Sequence, residues 1–164
     1  MIVLGVDPGT ATTGYSLLEV NGKGLVPIEF SLIETKKNLE QAERLSIIYE
    51  QILKIIKLGK PDVMAIEKIF FAANAKTAIA VGQAQGVMFL AAQKLALPVV
   101  EYAPGTIKKV VSGDGRANKK KMQQSLRKIF GASIRSKARK KTHFDNAADA
   151  LAVAYCHAML SRDR

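Results

Sequence analysis

The hydrophobic and polar positions at the start of the chain form short apolar runs separated by turn signals, a pattern typical of strands. The first run, from Ile2 to Val6, is rich in β-branched residues and ends in the turn sequence Asp7-Pro8-Gly9. A second strand is predicted from Tyr15 to Val20. The Asn21-Gly22 pair that follows it is a strong hairpin signal.

A third strand is predicted from Leu25 to Glu34, and it contains Pro27. Proline has no N–H to donate to a strand ladder, so this strand should lie at an edge of the sheet or carry a bulge at the proline. We expect the three strands to form an antiparallel meander.

After the third strand, the apolar positions change to the spacing of an amphipathic helix. They run from Leu39 to Ile56, and Gly59 and Pro61 then end the helix. The later predicted elements are strands over 62–67 and 98–102, and helices from a cap at Asn74 to about Leu95, near 106–111, over 119–130, and from about Asp145 to Leu160. This order predicts an α/β fold in one domain, residues 1–164, with a mixed sheet flanked by helices.

Composition excludes several classes of protein. A chain of 164 residues fits one domain, and 48% hydrophobic with 24% charged residues excludes disordered and fibrous chains. No apolar stretch reaches the roughly 18 residues of a membrane span, and the amino terminus does not read as a secretory signal. Cys156 is the only cysteine, which excludes an internal disulfide and a cysteine-based zinc site. We expect a cytoplasmic protein without a membrane segment.

Positive charge is concentrated in one segment, residues 104–141, called here the basic block. The chain carries +11 overall, and the basic block alone holds 13 Lys and Arg against one acid, Asp114. Such a segment attracts a polyanion by counterion release, and nucleic acid is the usual one; a solvated basic surface is the alternative. The residues expected to contact nucleic acid are Lys108, Lys109, Arg116, Lys119, Lys120 and Lys121.

Three carboxylates stand where apolar residues would be expected. Asp7 and Glu67 each end an apolar strand, and Asp149 interrupts the apolar helical segment 147–154. Carboxylates rarely occupy such positions unless they are paired or bind a metal. If the two strands are parallel neighbours, Asp7 and Glu67 emerge at the same edge of the sheet. Asp145, four residues before Asp149, lies on the same face of the helix.

Acids that converge without Cys or paired His favour a hard cation with oxygen ligands, Mg²⁺ or Mn²⁺. Two such ions, about 3.5–4 Å apart, would activate water and stabilise the leaving oxygen in phosphodiester hydrolysis. Each acid also has a structural alternative. Asp7 could be a turn former, Glu67 a partner of Lys68 or of a basic helix, and Asp145 a helix N-cap.

Several stretches, in order and over nearly the whole chain, together resemble the RuvC family of Holliday-junction resolvases. They are Val6–Thr10, Thr13–Tyr15, Ala65–Phe70 with Asn74, Gly82–Gly86, Val100–Tyr102 and Ala147–Leu151. The resemblance implies a ribonuclease-H-like fold, a homodimer, and Mg²⁺-dependent symmetric nicking of two strands at a four-way DNA junction during recombination and repair. It also implies 5′-phosphate and 3′-hydroxyl ends and a branch-migration motor complex as a partner.

The resemblance assigns roles to individual positions. Asp7, Glu67 and Asp149 match the catalytic, metal-binding carboxylates of the family. Lys108 and Lys119 match basic residues that the family places at or near the scissile phosphate, with ordinary solvation as the alternative.

Two further stretches carry roles implied by the resemblance. Phe70 matches an aromatic residue that wedges into the junction centre and disturbs base stacking, with core packing beside Phe71 as the alternative. Asn74 is a candidate nucleic-acid contact or helix cap. Gly82 and Gly86, one helical turn apart, allow another helix to approach closely. In the family this helix contributes to the dimer interface; close packing on the chain's own sheet is the alternative.

One position departs from the family. Three residues before Asp149 the family usually has an acid, sometimes a histidine, and this chain has Asn146. An amide oxygen can bind a cation but carries no charge, so it would hold a second metal less tightly. Three interpretations stay open: Asp145 takes over, an aspartate at 146 was replaced to trap an inactive complex, or the enzyme is naturally weakened and mostly binds junctions. His143 is a candidate for proton transfer and His157 for a buried structural role.

Two other functional classes share parts of this pattern. A nuclease of the same fold could act on ribosomal RNA precursors, although the Phe70 segment and the Gly82–Gly86 helix argue against it. Actin-like and sugar-kinase ATPases also open with a strand and a phosphate loop like Asp7–Thr10, but they need two such domains.

Overall fold

The computed structural model describes residues 1–22, 24–69, 75–131 and 141–162, with the side chains of 141–146 outside this description. The elements in these residues are β1 (Ile2–Asp7), β2 (Thr12–Asn21), β3 (Gly24–Glu34), α1 (Gln41–Gly59), β4 (Val63–Glu67), α2 (Ala75–Lys94), β5 (Val99–Tyr102), α3 (Pro104–Ser112), α4 (Lys119–Phe130) and α5 (Lys141–Arg162).

The strands form a mixed sheet in the order β3-β2-β1-β4-β5. β1, β2 and β3 are the predicted antiparallel meander, and β4 and β5 run parallel to β1. The ladder between β1 and β4 pairs Val6 with Ile66, so the residues that follow, Asp7 and Glu67, lie side by side at the carboxyl edge of the sheet. The predicted α/β fold with a mixed sheet is confirmed.

The edge strand β3 shows both effects expected of its proline. It lies at the end of the sheet, where a missing N–H costs no ladder hydrogen bond. Its pairing with β2 also shifts, from Leu17 opposite Glu29 to Leu18 opposite Pro27, which makes Ile28 a bulged residue.

Helices cover both faces of the sheet. α1 and α2 pack on one face around a core that includes Leu4, Met64 and Met88. α3, α4 and α5 pack on the other face, around Val3 and Leu151. Among the described residues, the helices are too short or too polar to cross a bilayer.

Helix α5 lies close to β1 because small residues face each other there. A Cβ added to Gly5 would come within 2.3 Å of the Ala150 carbonyl oxygen and 2.8 Å of the Ala154 Cβ. The Ser16 hydroxyl on β2 donates to the same Ala150 oxygen at 3.0 Å. Because Asp149 directly precedes Ala150, this contact fixes the position of that carboxylate relative to the sheet.

The start of α5 differs from the prediction. The helix begins at Lys141, four residues before the predicted start, because the sequence contains no Gly or Pro between Gly131 and the end of the helix. Asp145 therefore lies inside the helix, and its interpretation as the N-cap is wrong. The predicted cap at Asn74 lies outside the described residues.

Two smaller boundaries also differ. β2 begins at Thr12 and not at Tyr15, because Thr12 already pairs with Glu34 of β3, and Gly14 pairs in addition with Asp7 of β1. α3 begins at Pro104, two residues earlier than predicted, because the fixed φ of proline suits the first helical turn.

Gly5→Ala should destabilise the protein, because the new methyl group must displace the backbone of α5 at Ala150. Overpacking of this kind costs about 1–3 kcal/mol, and the melting temperature should fall by about 2–4 °C for each kcal/mol. Thermal denaturation measures the change. Gly22→Ala is the control, because no atom of the described residues lies within 4 Å of a Cβ built there. Equal melting temperatures for the two variants would contradict the close packing of α5.

Candidate active site

Three carboxylates come together at the carboxyl edge of the sheet. Asp7 ends β1 and Glu67 ends the neighbouring parallel strand β4, so the condition under which the sequence places both acids at one edge is met. Their side chains are hydrogen-bonded to each other, and Asp149 of α5 lies near enough to raise the pKa of both. The edge therefore gathers acids from three separate elements of the fold.

Burial and like charge decide the protonation of this group. Desolvation is the main cause, followed by the charges of Glu67 and Asp149, and together they raise the pKa of Asp7 from its ordinary 3.8 to about 8. The pKa of Glu67 is also raised, mainly by desolvation, although its hydrogen bond with Asp7 and the charge of Lys108 oppose the rise. Both shifts favour one proton shared between the hydrogen-bonded carboxyl groups of Asp7 and Glu67.

Two lysines of the basic block face this group from α3 and α4. Lys119 Nζ lies 3.4 Å from Asp149 Oδ2, and the positive charge of Lys108 lowers the pKa of Glu67. These two lysines, Glu67 and Asp149 line a cavity of about 240 Å³. Its apolar wall is formed by Pro104, Ile107, Ala117, Met122, Ala152 and Val153. A second cavity, of about 250 Å³, reaches Asp7 and Glu67 from the α2 side. Glu67 thus lines both cavities, whereas Asp149 lines the first and Asp7 the second.

The donor set fits a hard divalent cation. Within the described ranges, no three Asp, Glu, His or Cys side chains already form a metal-binding cluster. Instead, a proton bridges Asp7 and Glu67, and the ammonium group of Lys119 lies beside Asp149. A cation with oxygen ligands can replace these positive charges, because it would stabilise all three carboxylates in their ionised form. The residues therefore fit Mg²⁺ or Mn²⁺.

The predicted fourth ligand position lies one turn before Asp149. α5 is helical through residues 145 and 146, so Asp145 and Asn146, four and three positions earlier, both lie on the helix face that carries Asp149. Their side chains, and that of His143, lie outside the described residues. The three interpretations of this position stay open.

The other predicted nucleic-acid contacts lie around the α3–α4 region. Lys109 is on α3, Arg116 is in the connection between α3 and α4, and Lys120 and Lys121 are in the first turn of α4. All four are exposed to solvent. Phe70 and Asn74 lie outside the described residues.

His157 has the surroundings of a structural residue. It is buried on α5, and its Nδ1 lies 2.9 Å from the Tyr102 hydroxyl. The two rings also meet edge to face, with their centroids 5.9 Å apart. This matches the structural role that the sequence suggested for it.

Gln85 of α2, which has no role in the sequence analysis, hydrogen-bonds to the main chain of Glu67. Its side-chain Nε2 donates to the main-chain carbonyl of Glu67 and to the Glu101 carboxylate, both at 3.3 Å. Gln85 is buried on the sheet-facing side of an Ala-rich helix. A single amide among buried alanines is the signal that could have identified it, because buried polar groups are normally hydrogen-bonded.

A mixed sheet with acids at the ends of adjacent parallel strands, an acid from a helix beside them and lysines facing all three defines a class of protein. It is a nuclease with a ribonuclease-H-like fold.

Comparison with known sequences identifies the family. The family model described as "Crossover junction endodeoxyribonuclease RuvC" matches residues 3–157. The chain is 44% identical over 162 residues to the protein of that name from Thermotoga maritima, and the alignment covers 99% of this chain and 93% of the relative. It is also 44% identical over 158 residues to the protein of that name from Desulfitobacterium hafniense, and that alignment covers 96% of this chain and 92% of the relative. The chain therefore belongs to the RuvC family of crossover junction endodeoxyribonucleases.

Solved structures agree with this assignment. Thermus thermophilus RuvC in complex with a Holliday junction substrate matches with a TM-score of 0.87 and 29% identity, over 99% of this chain and 96% of that one. The yeast mitochondrial Holliday junction resolvase shares the fold, with a TM-score of 0.71 and 15% identity; the match covers 95% of this chain and 77% of the yeast chain. The predicted family and ribonuclease-H-like fold are confirmed. None of these matches supports the alternative of a ribosomal RNA nuclease.

Asp7→Asn should abolish nicking and preserve junction binding, because it removes the charge of one predicted metal ligand without changing its shape. We expect the nicking rate to fall by at least about a hundredfold. Junction affinity measured without divalent metal should be unchanged. Glu50→Gln on the exposed face of α1 makes the same chemical change away from the site and is the control. Nicking within tenfold of the unmodified chain would mean that Asp7 is structural.

Proposed function

We propose that Asp7, Glu67 and Asp149 hold two Mg²⁺ ions in this RuvC-family endonuclease, with Mn²⁺ as a substitute. The fourth ligand comes from Asp145 or Asn146. When bound, such ions activate water and stabilise the leaving oxygen of a phosphodiester. The observation that carries the proposal is the convergence of carboxylates from β1, β4 and α5 at one edge of the sheet.

The chain's own lysines complete the proposed site. Lys108 and Lys119 line the same cavity as Glu67 and Asp149. A phosphodiester brings a negative charge towards three acids, and its approach is unfavourable unless nearby cations neutralise it. Lys108 and Lys119 therefore contact the scissile phosphate and stabilise the charge that develops on it.

The substrate of the proposed site is a four-way DNA junction. Lys109, Arg116, Lys120 and Lys121 are exposed and bind backbone phosphates, which position the DNA without reading its sequence. The homologue solved with a Holliday junction supports this substrate. The wedge role of Phe70 and the DNA contact of Asn74 stay predictions.

The proposed activity belongs to DNA recombination and repair. It leaves 5′-phosphate and 3′-hydroxyl ends, and residues 1–164 act as one nuclease domain. A cytoplasmic location and a branch-migration motor complex as partner stay predictions.

A cleavage assay on three substrates tests the proposed function. A four-way junction, a linear duplex and a single-stranded RNA are each incubated with and without Mg²⁺. We expect symmetric nicks in the junction alone, and only with Mg²⁺. Lys119→Met should nick at least about tenfold more slowly at saturating protein. Equal cleavage of duplex and junction would contradict junction selectivity, and nicking without a divalent metal would contradict the role of the carboxylates.

We also propose that the exposed face of α2 joins two copies of the chain. Ile79, Gln83, Gly86 and Leu90 follow one another at helical spacing and are all exposed, Ile79 by 64% and Leu90 by 57%. Among the described residues, no atom lies within 4 Å of a Cβ built on Gly86, so packing on the chain's own sheet does not explain this glycine. An apolar helix face with a glycine suits close contact with the same helix of a second copy around a two-fold axis.

Ile79→Glu combined with Leu90→Glu should convert a dimer into a monomer, because it places two carboxylates on each side of the proposed interface. Light scattering after size exclusion should give twice 17.8 kDa for the unmodified chain and 17.8 kDa for the variant. The monomer should lose paired nicking. Leu58→Glu is the control, since Leu58 is 74% exposed on α1. A monomeric unmodified chain, or a variant that is still dimeric, would contradict this interface.

A further inference from the structure

Asp114 is the single acid in the basic block, and it holds together the connection between α3 and α4. Its carboxylate accepts a hydrogen bond from the Arg116 main-chain N–H at 2.9 Å and pairs with Lys121 Nζ at 2.9 Å. Its own N–H donates to the Ser112 hydroxyl oxygen at 3.3 Å. An acid in a surface that binds DNA repels the phosphates, so DNA binding does not explain the presence of Asp114 in this surface.

These contacts tie the end of α3 to the start of α4. The Ser112 hydroxyl donates to the Lys108 carbonyl, one turn back on α3, at 2.8 Å. At the other end, Asn118 caps α4 by accepting from the Lys121 N–H at 2.9 Å. The ion pair of Asp114 and Lys121 therefore closes a series of contacts that runs from one helix to the other.

Glycines fix the path of the same connection. α3 ends at Gly113, whose φ of 78° is in the left-handed region that favours glycine. A Cβ built on Gly115 would lie 3.3 Å from the Gly105 carbonyl oxygen, so the connection packs tightly against the start of α3. The two helices are thus joined by a compact connection with little room to shift.

The two helices carry the two lysines that face the carboxylates. Lys108 lies on α3, and Lys119, two residues before Lys121, lies on α4 at 3.4 Å from Asp149. We propose that Asp114 is a positioning residue, which through Lys121 holds α3 and α4 at the spacing that places both lysines beside the carboxylates. This inference rests on the role proposed above for Lys108 and Lys119.

Magnitudes favour a role in geometry over one in stability. The side chains of Asp114 and Lys121 are 45% and 47% exposed, and an ion pair this exposed adds little to folding stability. A shift of a catalytic group by about 1 Å, in contrast, can cost about a hundredfold in rate. Removing Asp114 also removes a negative charge beside the DNA. Nicking should therefore slow while junction binding is unchanged or stronger, unlike the loss of an ordinary DNA contact.

Asp114→Asn tests the inference, because it removes the charge and keeps the size. At saturating protein the single-turnover nicking rate should fall about three- to tenfold. The Kd for the junction, measured without divalent metal, should be equal or lower. Asp114→Glu should recover most of the rate, since Lys121 can still pair with it. Lys121→Gln should lower the rate as Asp114→Asn does, and the double variant should be no slower than the slower single variant.

Glu50→Gln is the matched control, with the same change of charge on α1 at the opposite face of the sheet; its rate and Kd should not change. A rate for Asp114→Asn within twofold of the unmodified chain would overturn the inference, and so would weaker junction binding. Asp114→Asn and the unmodified chain are also compared at temperatures that lie equally far below their own melting temperatures. If the rate loss disappears in that comparison, the loss comes from lower stability and the inference is overturned.

Lys119→Met separates this inference from the proposed function. A full nicking rate for Lys119→Met would mean that the role proposed for the lysine is wrong. A slow Lys119→Met with a fully active Asp114→Asn would mean that only the positioning role of Asp114 is wrong.

Discussion

Three partly buried carboxylates lie close together, where water cannot fully screen their charges, and this is the constraint on which the site depends. Desolvation is the main cause of the raised pKa of Asp7 and of Glu67; repulsion by the charge of Asp149 adds to both shifts, and repulsion by Glu67 adds to that of Asp7. The chain compensates with a proton between Asp7 and Glu67 and with Lys119 beside Asp149. The same repulsion favours a divalent cation, which relieves it. The carboxylates that lower the stability of the folded chain are thus the same residues that fit a divalent cation.

The scaffold holds the acids together against that repulsion. Parallel pairing of β1 with β4 fixes Asp7 next to Glu67, and the large apolar cores on both faces of the sheet keep the two strands in register. Contact between Gly5 and Ala150 sets the approach of α5 and therefore of Asp149. Gln85 fixes the main chain of Glu67 from the opposite face. The basic block then supplies positive charge from α3 and α4, which pack with α5 on one side of the sheet.

Local pattern predicted most of the fold, because strand alternation, helical spacing and turn residues act over a few positions. The meander followed from such signals, and so did the choice of an edge or a bulge for β3. The adjacency of Asp7 and Glu67 depends on a long-range parallel pairing, which the sequence left as a condition. The start of α5 did not, since residues 132–144 contain no helix breaker to mark it. The pairing of Asp114 with Lys121 was also out of reach, because thirteen cations share the basic block with that acid and sequence does not say which one it meets. Gln85 was missed because its partners lie on two other elements.

Thermal denaturation across pH, without metal, tests the burial and mutual repulsion of the carboxylates most directly. The pKa of Asp7 is about 8 in the folded chain and near 3.8 when unfolded, so between these values only the folded state holds the proton. The stability that this proton contributes is complete below the lower pKa and is lost as the pH rises through the higher one. Asp7→Asn does not titrate, and its amide can still donate to Glu67. Its melting temperature should therefore exceed that of the unmodified chain by a margin that grows from about pH 4 to about pH 8. A margin that stays constant with pH, or a variant that is the less stable of the two at pH 8, would contradict the account.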